Sequence, residues 1–234
     1  MEVVFKIFSI VILSYLVGSI PTAVWVSKRF FGFDIRTKGS GNMGSTNAFR
    51  TLGWKWGLFV QLVDLLKGYA AVVFIAGYIG EGLIFPNATM FEHITLLKIL
   101  AGISAVVGHI WSVFAGFKGG KGVNTAAGML IGLAPYDVLI AFSLFALTVI
   151  FSGYISLGSI MAAFSIPSSM IVRYNIFGAD IPGYSILIYF AIGLMVLVLY
   201  THRANIKRLL EGSENKFTRL QLIKLKQKDR QKID

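Results

Sequence analysis

Six stretches of this chain, near residues 5–26, 56–79, 96–115, 136–152, 154–172 and 184–201, stay apolar for about the length a helix needs to cross a bilayer core. No other feature limits the fold so strongly. A backbone surrounded by hydrocarbon must satisfy its own N–H and C=O groups, and at this segment length the α-helix is the way to do it. Hydrophobic residues make up 56% of the 234 residues and charged residues 14%, with a mean hydropathy of +0.73. A water-soluble domain of this size does not cover its surface with so few charges. The fold class is therefore all-α, a polytopic transmembrane helix bundle.

Charge distribution bears on how many times the chain crosses. Six basic residues lie between Lys28 and Lys55, and ten follow His202. Between Gly80 and Ile94 there are two acids and no Lys or Arg. The positive-inside rule puts both basic regions in the cytoplasm. The first apolar run is too long for a signal-peptide core, lacks an A-x-A site and is followed by Lys28-Arg29, so it is expected to be an uncleaved span with the N-terminus outside. Both basic regions can then be cytoplasmic only if the number of spans is odd. A seventh apolar stretch, Val123 to Ala134, is about twelve residues long and stops at Pro135-Tyr136-Asp137, which reads as a turn. Counting it gives about seven spans and a cytoplasmic C-terminus, with external loops at Gly80–Ile94, Pro135–Asp137 and Arg173–Gly183. Five spans with merged or re-entrant segments also satisfy parity. Residues 1–216 read as a single transmembrane domain. Residues 217–234 form a basic tail, either a short amphipathic helix on the membrane surface or a solvated end.

The net charge of +11 is spread over segments between apolar runs, which suits anionic lipid or small anionic substrates rather than nucleic acid. Cysteine is absent, so thiol nucleophiles, disulfides and thiolate metal sites are excluded.

Three polar segments lie at span ends on the expected cytoplasmic face. The first runs from Asp34-Ile35-Arg36 to Arg50. Glycines 39, 41 and 44 let the backbone N–H groups converge as in an anion-binding nest, with Ser40, Asn42, Thr46, Asn47 and the fork of Arg50 beside them. The second is Gly108-His109 followed by Phe117-Lys118-Gly119-Gly120-Lys121-Gly122-Val123. A glycine turn entering a helix combines unsatisfied N–H groups with the positive end of the helix dipole, and Lys121 adds a mobile charge. The spacing is not that of a nucleotide-binding P-loop, because Gly122 follows Lys121. The blander reading has Lys118 and Lys121 anchoring a helix at the lipid interface. The third segment is His202-Arg203-Ala204-Asn205-Ile206-Lys207-Arg208, with Glu214 close behind. On a continuous helix His202, Asn205 and Arg208 share one face. Asp64 and Lys67, three residues apart within the second span, read as an internal ion pair that braces the bundle in preference to a direct catalytic role, since lone charges at that depth are costly. His93 reads as a solvated loop residue, and His109 as a packing residue or a buttress for the glycine turn.

The ordered set of motifs resembles the bacterial acyl-phosphate:glycerol-3-phosphate acyltransferases, a family of integral membrane enzymes. The matching residues are Gly18-Ser19-Ile20-Pro21, Asp34-Ile35-Arg36, Gly39-Ser40-Gly41-Asn42 through Thr46-Asn47 and Arg50, Asp64-x-x-Lys67-Gly68, Gly108-His109, Phe117 through Val123, and His202-Arg203-x-Asn205-Ile206-x-Arg208-Leu209. Ser45 and Asn124 depart from the pattern, where alanine is usual or common, and the basic tail is longer. The resemblance implies transfer of a fatty acyl group from acyl phosphate to the 1-hydroxyl of glycerol 3-phosphate, giving lysophosphatidic acid and phosphate, with no cofactor and no metal. It places the protein in a bacterial inner membrane with its active face in the cytoplasm. It assigns Ser40, Lys121 and His202 to catalysis, and Gly41, Asn42, Thr46, Asn47, Arg50, Lys118, Gly119, Gly120, Gly122, Asn205 and Glu214 to substrate binding. On this reading Lys121 and the amides of residues 119–122 hold the acyl phosphate. Direct attack by the glycerol hydroxyl is expected, with His202 or a substrate phosphate taking the proton.

Rival chemistries find less support. An acyltransferase using an H-x-x-x-x-D pair needs an acid five residues after a histidine, yet Lys98, Phe114 and Lys207 stand there. A metal-dependent phosphotransferase needs clustered aspartates. A transporter for phosphate or an organophosphate would suit the anion nests, but no inverted repeat underlies it.

Overall fold

A computed structural model describes residues 1–85, 91–214 and 216. Among these residues the protein is helical. Contacts gather it into two compact units, Met1–Pro135 and Tyr136–Asp234.

The first unit opens with α1 (Glu2–Gly18) and α2 (Thr22–Phe31). The expected first span is present as the run Glu2–Phe31, and its helix is interrupted at Ser19-Ile20-Pro21, because proline lacks the N–H and its ring disfavours helical geometry in the residue before it. A broken helix at membrane depth leaves carbonyls without partners. Here the Ile20 carbonyl accepts from Thr22 N at 3.0 Å and from Lys67 Nζ, and the Ser19 carbonyl accepts from Ser112 Oγ.

A short α3 (Ser45–Thr51) leads into α4 (Trp54–Ala70), which continues through a π-helical stretch, Ala71–Ala76, into α5 (Gly77–Gly80). Next come α6 (His93–Ile110) and α7 (Val123–Leu133). The dominant packings are α1 on α6 and α4 on α7. Lipid offers helices no hydrophobic reason to associate, so close backbone approach must hold them. A Cβ at Gly68 would collide with the Thr125 carbonyl, and one at Gly128 with the Leu65 carbonyl, so α4 and α7 meet main chain to main chain. His93, expected to be a solvated loop residue, opens α6 and lies half-buried against the Phe85 ring, with centroids 4.6 Å apart.

The second unit contains α8 (Pro135–Ser152, whose first residue closes the preceding unit), α9 (Ile155–Asn175), α10 (Tyr184–Thr201) and α11 (Arg203–Leu210). Pro135-Tyr136-Asp137 is not a turn. The break is at Ala134, and the three residues form the first turn of α8, where proline's fixed φ suits a helix start. Asp137 is fully buried and accepts from Ser169 Oγ at 2.7 Å and Arg173 Nη1 at 2.6 Å, tying α8 to α9. The helix expected to run on past His202 bends there by 59°. α11 packs against α9.

Among the described residues, five helical runs are long and apolar enough to cross a membrane, with α1 and α2 counted together as Glu2–Phe31, or six if the bent α10–α11 pair is one span. α7, at 11 residues, is about 16 Å long. The basic tail of residues 217–234 lies outside the described residues.

Candidate active site

The first loop is built by side chains turned on their own backbone. Asp34 Oδ1 accepts from Arg36 N and Arg36 Nε at 3.0 Å each, and Oδ2 accepts from Nη2 at 2.7 Å. The Arg36 guanidinium holds the Asp34 carboxyl well below the usual carboxylate range, and Asp34 in turn raises Arg36. The remaining Arg36 Nη1 donates to the Ala115 carbonyl at 2.8 Å, so Arg36 acts as a strut. Gly39 and Gly41 take φ of +59° and +72°, a region other residues rarely occupy. Gly44 instead has φ −77° and caps α3.

Asn47 is buried at the centre of this loop. Its Nδ2 lies 3.2, 3.1 and 2.8 Å from the carbonyls of Ile35, Lys38 and Asn42, and its Oδ1 accepts from Ser40 N at 2.9 Å. Asn47 was expected at the substrate, but its amide is committed to the main chain, so it shapes the loop that presents Ser40.

The second loop follows α6. Gly119 N donates to the Ile110 carbonyl and Gly120 N to the His109 carbonyl, both at 3.0 Å. These amides were expected to bind phosphate. They cap carbonyls that the end of α6 leaves without helical partners, which removes them as anion donors. Gly122, at φ +75°, starts α7. The N–H groups of the first turn of α7 have no carbonyl within the helix to receive them.

Between the two loops lies a cavity of about 330 Å³, bounded by Ser40, Asn42, residues 44–47, Arg50, Asp64, His109 and residues 121–124. That volume suits a small ligand. Neither Arg50 nor Lys121 is in an ion pair among the described residues, while the Asp64 carboxylate is 2.6 Å from Lys67 Nζ. Two cations without counter-ions and a neutralised acid leave a net positive lining, as an anion site requires. Asp64, Lys67 and His109 are all buried, and His109 Nδ1 lies 3.8 Å from Asp64 Oδ1. Of the expected residues, Ser40, Lys121, Asn42, Thr46, Asn47, Arg50 and Gly122 line this cavity, while Gly41, Lys118, Gly119 and Gly120 do not. Lys118 is exposed.

The other expected residues form a cluster within the second unit. The Glu214 carboxylate accepts from Asn205 Nδ2 at 2.8 Å, Arg208 Nε at 2.7 Å and Ser156 Oγ at 2.9 Å. These bonds, Asn205's and then Arg208's foremost, pull its pKa below the ordinary value. Glu214 was expected to bind substrate, but three protein donors occupy it and it joins α9 to the end of α11. His202 sits at the bend between α10 and α11, its Nδ1 donating to the Val198 carbonyl at 2.9 Å. Sequence reasoning missed the Asp137–Arg173–Ser169 cluster. The signal available was an acid beside an apolar run with an arginine at the far end of the next one.

The profile of the family described as glycerol-3-phosphate acyltransferase matches residues 8–212. The chain belongs to that family. A glycerol-3-phosphate acyltransferase from Chlorobium phaeobacteroides is 46% identical over 230 residues, covering 90% of this chain and 96% of that protein. The one from Chlorobaculum tepidum is 45% identical over 225 residues, covering 90% and 96%. Among solved structures, PlsY (YgiH), an integral membrane glycerol 3-phosphate acyltransferase in its glycerol 3-phosphate form, superimposes with a TM-score of 0.65. Identity to it is 35%, with 90% of this chain and 95% of that chain covered. A lysophosphatidic acid form of PlsY matches with the same TM-score at 33% identity.

Proposed function

We propose that this protein acylates the 1-hydroxyl of sn-glycerol 3-phosphate with acyl phosphate as donor, giving 1-acylglycerol 3-phosphate and inorganic phosphate as the first acylation of phospholipid synthesis. The observation that carries the reading is the cavity between the two loops, whose wall holds Arg50 and Lys121, neither of them in an ion pair among the described residues, while its acid Asp64 is paired with Lys67. Both substrates bring phosphate, and solved relatives were obtained with glycerol 3-phosphate and with lysophosphatidic acid.

On this reading Ser40, Asn42, Thr46 and Arg50 receive glycerol 3-phosphate, with Arg50 offering its planar fork to the phosphate. Lys121, Gly122 and the first turn of α7 receive the acyl phosphate, where a free helix start favours anions. The glycerol oxygen attacks the acyl carbon and forms the ester bond. The bond from that carbon to the phosphate oxygen breaks, and the hydroxyl proton ends on the departing phosphate. The donor is already activated, so positioning and charge stabilisation are the protein's main contributions. The acyl chain lies among apolar helices. The topology that accompanies this reading has about seven spans, with α7 as the short one, an external N-terminus and a cytoplasmic active face in a bacterial inner membrane.

The test gives purified protein glycerol 3-phosphate with either acyl phosphate or acyl-CoA and measures lysophosphatidic acid. Turnover with acyl phosphate alone is expected. Comparable rates with both donors overturn the donor assignment.

A further inference from the structure

Ser45 and Asn124 take no part in the bracing of either loop, yet both lie in the cavity wall. Ser45 opens α3 and Asn124 is the second residue of α7. The Asn124 Nδ2 group donates to Ser45 Oγ at 2.9 Å. Within its own segment the first loop is held by Asn47 and the second by the end of α6. Among the described residues, two side-chain hydrogen bonds cross from residues 34–50 to residues 113–125: this one, and the Arg36 bond to the Ala115 carbonyl. Of the two, the Ser45–Asn124 bond is the one in the cavity wall.

We propose that the Ser45–Asn124 hydrogen bond is a positioning latch that holds the Arg50 side and the Lys121 side of the cavity at the separation acyl transfer needs. The inference rests on the function proposed above. Ser45 shares the short α3 with Arg50, and Asn124 follows Lys121 by three residues, so a bond between them restrains the backbone carrying each cation. Transfer requires the attacking oxygen and the acyl carbon within about 3–3.5 Å. Releasing the latch removes no phosphate-binding group. It widens the distribution of distances between two bound substrates, which lowers kcat and leaves each KM nearly unchanged.

The test measures kcat and both KM values for the wild type, Ser45→Ala, Asn124→Ala and the double variant, in the full-length protein with the donor that supports wild-type turnover. Each single variant is expected to lower kcat about three- to tenfold, the range that losing one neutral hydrogen bond allows. KM values should stay within about twofold. The double variant should be no slower than the worse single, because both remove the same bond. Ser45→Thr keeps the acceptor oxygen and should retain most of the rate. If Asn124→Ala does not accumulate, Asn124→Ser, too short to reach Ser45, takes its place. Unchanged kcat, losses that multiply in the double variant, or a raised KM for one substrate at constant kcat would each overturn the latch. A wild type inactive with acyl phosphate but active with another donor counts against the donor assignment alone.

Discussion

Lys67 Nζ lies 2.6 Å from Asp64 Oδ1 and also donates to the Ile20 carbonyl exposed by the break between α1 and α2. One buried ammonium thus neutralises an acid at the floor of the cavity and repairs a discontinuous helix. Both side chains are at most 3% exposed. Removing one partner of a buried pair leaves the other uncompensated, at a cost of about 3–5 kcal/mol. Lys67→Ala should therefore lower the unfolding midpoint in detergent sharply, and Asp64→Asn less, because the amide still accepts from Lys67. Equal stability of Lys67→Ala and wild type would show that the pair does not brace the break.

Lys121 lines the cavity while Lys118, three residues away, does not. If Lys121 stabilises charge moving onto the leaving phosphate, Lys121→Ala should cost about 3 kcal/mol of transition-state stabilisation, a hundredfold or more in kcat. Lys121→Arg should restore little, since a planar fork does not replace a compact ammonium beside glycine. Lys118→Ala should stay close to wild type. Similar mild losses in both alanine variants would favour lysines that only anchor a helix at the interface.

Asp34 and Glu214 are held below their ordinary pKa by donors that favour the charged form. A carboxyl depressed on folding contributes stability that is fully present above its unfolded pKa and lost as pH falls through its lower, folded value. Thermal midpoints of wild type and Asp34→Asn should therefore differ by a constant amount at neutral and mildly acidic pH, and converge only below the ordinary carboxylate range. Convergence already near neutrality would rule out the Asp34–Arg36 bracket as the source. Glu214→Gln should follow the same pattern, its effect falling on the α9–α11 junction.

The proposed topology is open to labelling, because the chain has no native cysteine. Cysteine at Ser40, Lys118 or Ser213 should be shielded from an impermeant thiol reagent added to intact cells, and cysteine at Asp180 should react. Labelling of Ser213 from outside would require an even number of spans and an external second unit end.

The sequence by itself determined that this is a helical membrane protein and where most of its long helices run, because hydrocarbon enforces hydropathy and length on each segment independently. It also marked the two glycine-rich loops and the pairing of Asp64 with Lys67, since residue type and short spacing carry both. Tertiary structure decided which polar groups remain for a ligand. Asn47 reads in sequence as one more substrate group, yet its amide is taken up by the carbonyls of Ile35, Lys38 and Asn42. The Gly119 and Gly120 amides read as an anion nest, yet α6 claims both. Glu214 finds Ser156 across 58 positions, and Asn124 finds Ser45 across 79. A donor or acceptor binds whatever the fold brings near it, and partners so distant in sequence leave no local pattern. Only the packed chain could separate the groups that build the cavity from those left to face its contents.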